Sequence, residues 1–445
     1  MTHRGNPMKK QLTKLALTAA LALATTLTLS CGNHTFEELL GLDSSSSEQE
    51  DNYSSSSFKL SSSSSSEQDD NYSSSSLKLS SSSSSSQQQS GIIVAPLTQT
   101  KWIQYSPYND LFPIVDGERK LTNCGTTAMV QIMKFHKYPA RGKGESSVVN
   151  PGNVPVPLTN MNVAYDWDNM LNEYTTANPG TEQQRSAVAV LNYHFGLVRG
   201  MMGDGLGKVL TDHFGYDKSL QIHSREYYSN AEWEAIIRRQ LDLGLPVFYI
   251  GNSVANDDPE NFSVESGHSF VVDGYDNAGK FHINLGWGAS HNRWVSLNDI
   301  DAGNGKRYNY GNFIYINIKP DKGGIGSNEM ALDSFTVSKT TVSQNEQVTV
   351  TAKIKSTGYF TGGQAGVALV NNSGNIVAVI GTRNYDALNP NTYRTPTINC
   401  SVPNSVNAGQ YNLRIVTKMN GETDWKIVTH SLPNVQKSIP LTVTE

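Results

Sequence analysis

Four residues have the types and settings that could do chemistry: Cys124, His268, Asn284 and Gln104. Cys124 lies in Leu121-Thr122-Asn123-Cys124-Gly125-Thr126-Thr127-Ala128-Met129-Val130-Gln131-Ile132-Met133-Lys134-Phe135-His136. Apolar Ala128, Met129, Ile132 and Met133 recur at helical spacing, and Pro139 stops the helix. Thr122 or Asn123 can cap its start. Cys124 then falls in the first turn, where unpaired amides and the positive end of the helix dipole favour an anion. A thiolate is a nucleophile and a thiol is not, so the setting suits a reactive cysteine. The bland alternative is a small buried hydrophobe at a helix start.

Two further segments bear on that choice. Gln104, in Trp102-Ile103-Gln104-Tyr105-Ser106-Pro107-Tyr108-Asn109, carries an amide able to donate to an oxyanion. Downstream, Ser266-Gly267-His268-Ser269-Phe270-Val271-Val272-Asp273-Gly274-Tyr275 meets a turn at Asp276-Asn277-Ala278-Gly279. Lys280-Phe281-His282-Ile283-Asn284-Leu285-Gly286-Trp287-Gly288 follows, and the whole reads as a β-hairpin. Folding it about residues 276–278 lays Asn284 within a residue or two of His268. A histidine that takes a thiol proton needs a partner to fix its ring, and an amide oxygen can serve.

With these residues in place, the sequence resembles the streptopain family of bacterial papain-like cysteine peptidases. The matching residues are Trp102-x-Gln104-x-x-Pro107-Tyr108-Asn109, Cys124-x-x-x-Ala128-x-x-Gln131-Ile132-Met133-Lys134-x-His136-x-Tyr138-Pro139, Gly267-His268-x-Phe270-Val271-x-Asp273-Gly274 and Asn284-x-Gly286-Trp287-Gly288. The resemblance implies Cys124 as nucleophile, His268 as general base and acid, and Asn284 as the group orienting His268. It also implies that Gln104 completes an oxyanion hole with the Cys124 amide. The family commonly reads Asn-Trp-Gly-Trp-Gly, whereas Leu285 replaces the first Trp here. The expectation is that the indole shielding the His–Asn contact is missing, with Trp287 left as the structural aromatic near the site. Asn123 stands where the family often has Gly.

Other candidates read as structural. His136 packs or caps the helix end. His282 shares a strand face with Asn284 and is the only rival base near the site. Gly203-Asp204-Gly205-Leu206-Gly207-Lys208 fails as a phosphate loop because Val209 replaces Ser/Thr; in the family a Gly-rich segment at this point borders the substrate cleft. Asp299-Ile300-Asp301-Ala302-Gly303 lacks a calcium-loop pattern. With three cysteines far apart and no HExxH, no metal and no cofactor is expected.

Charge excludes another class. The formal net charge is -5, of which residues 44–90 contribute -4 and residues 1–43 contribute +1. The last 355 residues stand at only -2, which offers no footprint for nucleic acid.

The elements that carry the site sit behind an export leader and a spacer. Met8-Lys9-Lys10 and Lys14 precede Leu15 to Leu29, a run too short to span a bilayer but suited to a signal peptide. Leu27-Thr28-Leu29-Ser30-Cys31-Gly32 resembles a lipobox, making Cys31 a lipid-attachment candidate in a signal over 1–31. Residues 44–90 hold 26 serines in 47 positions, with a unit repeating at a spacing of 19. We read 32–91 as a flexible linker, whose coil span is roughly 35–40 Å. The peptidase domain is expected over 92–320, α+β, with a helical N-terminal part and an antiparallel β C-terminal part. Short alternating runs from about residue 329 predict an all-β immunoglobulin-like sandwich over 329–445, with Cys400 as an inert thiol.

The expected function is an exported cysteine endopeptidase acting on protein or peptide substrates, anchored in the outer membrane through lipid or secreted. Oligomeric state stays open. The alternative is a non-catalytic surface lipoprotein, an adhesin or glycan binder, built on a decayed peptidase fold.

Overall fold

The local chemistry of Asn123 starts the helix where the site needs it. Its side chain accepts from the Thr126 amide at 2.7 Å, and its backbone is extended. Helix α1 (Cys124–His136) follows, with Cys124 through Met133 all buried. It ends at Lys137 in a left-handed conformation, whose N–H returns to the last turn.

The computed structural model describes residues 91–149, 154–199, 206–254 and 264–445, all within one compact unit. The signal, Cys31, nearly all of the serine-rich linker, and Gly203 to Gly205 of the glycine-rich segment lie outside the described residues. Before α1 come β1 (Ile92–Val94) and a small hairpin of β2 (Ile114–Val115) and β3 (Glu118–Arg119). After it come the hairpin β4 (Glu145–Val149) and β5 (Val154–Asn160), then α2 (Glu182–Arg199) and α3 (Leu206–Phe214). Strand β6 (Gln221–Ser224) leads to α4 (Asn230–Asp242), which opens on a capping box between Ser229 and Glu232.

The remaining strands of this part are β7 (Val247–Val254), β8 (Val264–Asp276), β9 (Phe281–Asn284), β10 (Arg293–Val295) and β11 (Tyr310–Ile316). They form a seven-stranded sheet in the order β10-β9-β8-β7-β11-β6, with β1 added against β8. Every pairing in it is antiparallel. Helix α1 packs on β8, and Met129, Ile132 and Met133 join Ile250 and Val271 in one buried core with residues of α2 and α3. The fold is mixed α+β, as expected: helices in the first part, a curled antiparallel sheet in the second.

From β12 (Met330–Val337) onward the chain is strand: β13 (Thr341–Ser343), β14 (Gln347–Ser356), β15 (Gly363–Val370), β16 (Ile376–Tyr385), β17 (Tyr393–Arg394), β18 (Thr397–Ser401), β19 (Gly409–Met419), β20 (Lys426–Ile427), β21 (His430–Ser431) and β22 (Ile439–Thr444). One sheet holds β12, β14, β17, β18 and β21, and the other holds β13, β15, β16, β19, β20 and β22. Period-two burial is plain in β14, whose Val348, Val350, Ala352 and Ile354 face a core shared with Val367, Leu369, Leu413 and Ile415 of the second sheet. The free thiol of Cys400 is buried in the same core, and burial pushes its pKa up to about 12.

These sheets are tied to the first part through backbone and side chains. The Ile222 amide donates to the Thr357 carbonyl at 2.6 Å, and Gln221 bridges Gly358, so the outer edge of β6 is covered. Lys355, 4 % exposed, donates to the Ser224 hydroxyl at 2.8 Å and lies over the rings of Tyr227 and Tyr393.

Candidate active site

Cys124 lies at the first turn of α1 and is 6 % exposed. The chemistry considered below is that of its reduced thiol. Gln104 runs beside the approach to the helix: its carbonyl accepts from the Thr122 amide at 3.2 Å. Its side chain is half-buried, and among the described residues its amide has no hydrogen-bond partner.

His268 sits on β8, 3 % exposed, on the strand that α1 packs against. Its Nε2 lies 2.9 Å from the carbonyl oxygen of Leu285. A carbonyl only accepts, so Nε2 carries the proton and Nδ1 of the neutral ring is left as the basic nitrogen. The Trp287 ring lies 4.4 Å from the imidazole between centroids, with Tyr308 at 5.3 Å and Phe270 at 6.1 Å. The Trp287 ring therefore lies against the imidazole, while Leu285, at the position of the absent indole, contributes its backbone carbonyl.

Asn284 does not stand where the hairpin reading put it. It pairs with Val271, three positions from His268. The register slips between Val272 and Gly274, where the Val94 carbonyl of β1 lies so near that a Cβ on Gly274 would come within 2.8 Å of it. An odd offset sends the two side chains to opposite faces of the sheet. Counted on from that register, position 287 falls opposite His268, in keeping with the Trp287 contact.

The Asn284 carboxamide is fully engaged elsewhere. Its Nδ2 donates to the Thr100 carbonyl at 2.7 Å and to Gln131 Oε1 at 3.0 Å. Its Oδ1 accepts from the Gly286 amide at 3.1 Å and from Gln131 Nε2 at 3.3 Å. Two donors and two lone pairs are thus spent, and none remains for His268.

His282 has a structural setting. Its Nδ1 is 2.6 Å from the Asp273 carboxylate, which is wholly buried and also accepts from the Thr98 amide at 3.0 Å. Burial pulls His136 below the usual imidazole range, and its ring packs against Phe135 and Tyr216. Among the described residues no group of His, Cys, Asp and Glu could hold a metal ion.

Gln131 was not singled out in the sequence as a site residue. The signal was there: positions 124, 128 and 131 share a helix face, and a polar side chain on a buried face requires a buried partner.

The site thus has a cysteine at a capped helix start, packed on an antiparallel sheet that carries a histidine bonded to a backbone carbonyl. Residues 102–295 match the Peptidase C10 family.

Streptopain of Streptococcus pyogenes is 28% identical over an alignment covering 47% of this chain and 57% of the relative. The thiol protease/hemagglutinin PrtT of Porphyromonas gingivalis is also 28% identical, over 47% of this chain and 25% of that protein. Among solved structures, active interpain A of Prevotella intermedia is 29% identical, covering 51% of this chain and 95% of that one, with a TM-score of 0.45. The chain thus spans little more than half the length of the streptopains it matches.

Proposed function

We propose that this protein is a cysteine endopeptidase acting on protein or peptide substrates. The observation that carries the reading is the Nε2–H···O=C bond from His268 to Leu285, which leaves Nδ1 as the acceptor on a strand packed against the helix of Cys124. The reduced Cys124 thiol gives its proton to His268 Nδ1. Its thiolate attacks the substrate carbonyl carbon, with the new oxyanion held by the Cys124 backbone N–H and the Gln104 amide. The tetrahedral species collapses as His268 protonates the leaving amine, giving an acyl-enzyme. Water then attacks the thioester, its proton passes to His268, and the acid product leaves as the thiolate is restored.

Similarity of residues 102–295 to streptopain and interpain A supports this reading. The non-catalytic alternative rests on Leu285 and on the repeated serine-rich linker, and the Trp287 ring beside His268 weighs against the first of these grounds. The test is labelling of the reduced protein with iodoacetamide: one equivalent placed on Cys124, found by mass spectrometry, should abolish casein hydrolysis. Full casein hydrolysis after complete Cys124 labelling would reject the reading.

We further propose export, which the leader over residues 1–31 supports, with lipid on Cys31 tested by palmitate incorporation in the wild type against Cys31→Ser. The domain boundaries at 92–320 and 329–445 and an immunoglobulin-like architecture for the second part belong to the same proposal. The core shared by its two sheets supports the sandwich.

A further inference from the structure

We propose that Gln131 is a positioning residue for His268, acting through Asn284 and the turn that follows it; the inference rests on the peptidase reading above. Gln131 lies two turns into the helix that begins at Cys124 and is wholly buried. Its Oε1 accepts from the Trp102 amide at 3.3 Å and from Asn284 Nδ2 at 3.0 Å, and its Nε2 donates to Asn284 Oδ1 at 3.3 Å. The two carboxamides therefore face each other as a reciprocal pair. Their orientations are fixed by backbone groups whose roles are unambiguous: the Trp102 and Gly286 amides can only donate, and the Thr100 carbonyl can only accept.

The pair joins three segments. Through Trp102 and Thr100 it holds the chain that leads to Gln104. Through its own backbone it belongs to the nucleophile's helix. Through Asn284 Oδ1 and the Gly286 amide it closes the turn that carries the Leu285 carbonyl, the acceptor for His268 Nε2. Gly286 is at φ 70°, and a Cβ there would lie 3.0 Å from Thr127 Cγ2, so the turn is pressed onto α1 one turn past Cys124. The carbonyl that sets the imidazole is thereby referenced to the cysteine's helix by Gln131. Without that pair, His268 keeps its strand and loses the fixed acceptor that selects its tautomer and ring plane.

The test uses the full chain under reducing conditions. Three variants are compared with the wild type: Gln131→Met, close in volume but without hydrogen bonds; Gln131→Glu, which when protonated restores one donor and one acceptor; and Ile132→Ala, a core truncation one residue along the same helix. Thermal melting establishes folding. The readouts are the pH profile of Cys124 alkylation by iodoacetamide and the kcat and KM for a peptide substrate. A thiolate held by imidazolium gives the wild type alkylation well below the usual thiol range near pH 8.5.

In folded Gln131→Met that low-pH limb should be lost and kcat should fall at least tenfold with KM within twofold. Gln131→Glu should recover part of both, and Ile132→Ala should keep the wild-type profile. A folded Gln131→Met with the wild-type profile and kcat overturns the proposal and leaves the peptidase reading intact. A reduced wild type with neither the low-pH limb nor hydrolysis overturns the reading, and the proposal falls with it.

Discussion

His268 donates from Nε2 to the carbonyl oxygen of Leu285 at 2.9 Å, while the neighbouring Asn284 carboxamide spends its hydrogen bonds on Thr98, Thr100, Gln131 and Gly286. The histidine is therefore oriented by backbone, and Asn284 holds the backbone that does it. Substitution at 285 leaves the carbonyl in place, which separates the roles of the two residues.

Leu285 is 1 % exposed, so its side chain acts in packing. Leu285→Ala should cost about 2–5 kcal/mol of stability. Leu285→Trp should cost about 1–3 kcal/mol through overpacking and should bring no gain in rate. Denaturant melts together with kcat on the folded fraction check both outcomes. A large rate gain in Leu285→Trp would mean that Trp287 does not shield the ring.

The Gln104 backbone lies beside the approach to the helix, and the proposed mechanism gives its side-chain amide to the oxyanion. Gln104→Ala should lower kcat by about 10²–10³-fold, the usual loss for one oxyanion donor, with little change in melting temperature. Steady-state kinetics on a fluorogenic peptide measure it.

Two buried histidines, His194 and His223, should weaken the fold in acid. Burial pulls His223 down to about 3 and His194 down to about 4, from an ordinary value of 6.5. His223 is satisfied as a neutral ring, with Tyr228 OH at 2.5 Å from Nδ1 and Gln221 Oε1 at 2.8 Å from Nε2. Below about pH 6.5 the unfolded chain takes up protons that the folded chain refuses. Stability should therefore fall as pH drops from 6.5 toward 4, by up to about 1.4 kcal/mol per pH unit for each ring. His223→Gln should flatten that slope in melts between pH 7 and pH 4.

Lys355 is where the second pair of sheets grips β6. Burial draws its ammonium below the ordinary range, with the Glu226 and Asp333 carboxylates acting the other way. Lys355→Ala should cost about 2–3 kcal/mol, since it empties a buried site and leaves the Ser224 hydroxyl without its donor. Lys355→Met, which keeps the stem over Tyr227 and Tyr393, should cost less. Urea melts of the two variants rank them.

The helix start at Cys124 was legible in the sequence because its cap and its stop are local signals, Asn123 before it and Pro139 after it. The β8–β9 hairpin was legible from its turn, where Asp276 Oδ1 accepts from the Ala278 and Lys280 amides. Its register was not, because the slip at Val272 to Gly274 arises from β1, which arrives from some 180 residues away in the chain. The orienting group was missed for a related reason: a backbone carbonyl leaves no mark in a sequence, whereas an asparagine does. The grip of the C-terminal sheets on β6 was equally hidden, since Lys355 reads as one more outward residue of an alternating strand.

The most direct measurement is casein hydrolysis by the reduced full-length protein, wild type against Cys124→Ala and His268→Ala, with folding checked by melting. The account predicts hydrolysis in the wild type and loss of at least about 10³-fold in each variant. Hydrolysis that survives in a folded Cys124→Ala protein would contradict it.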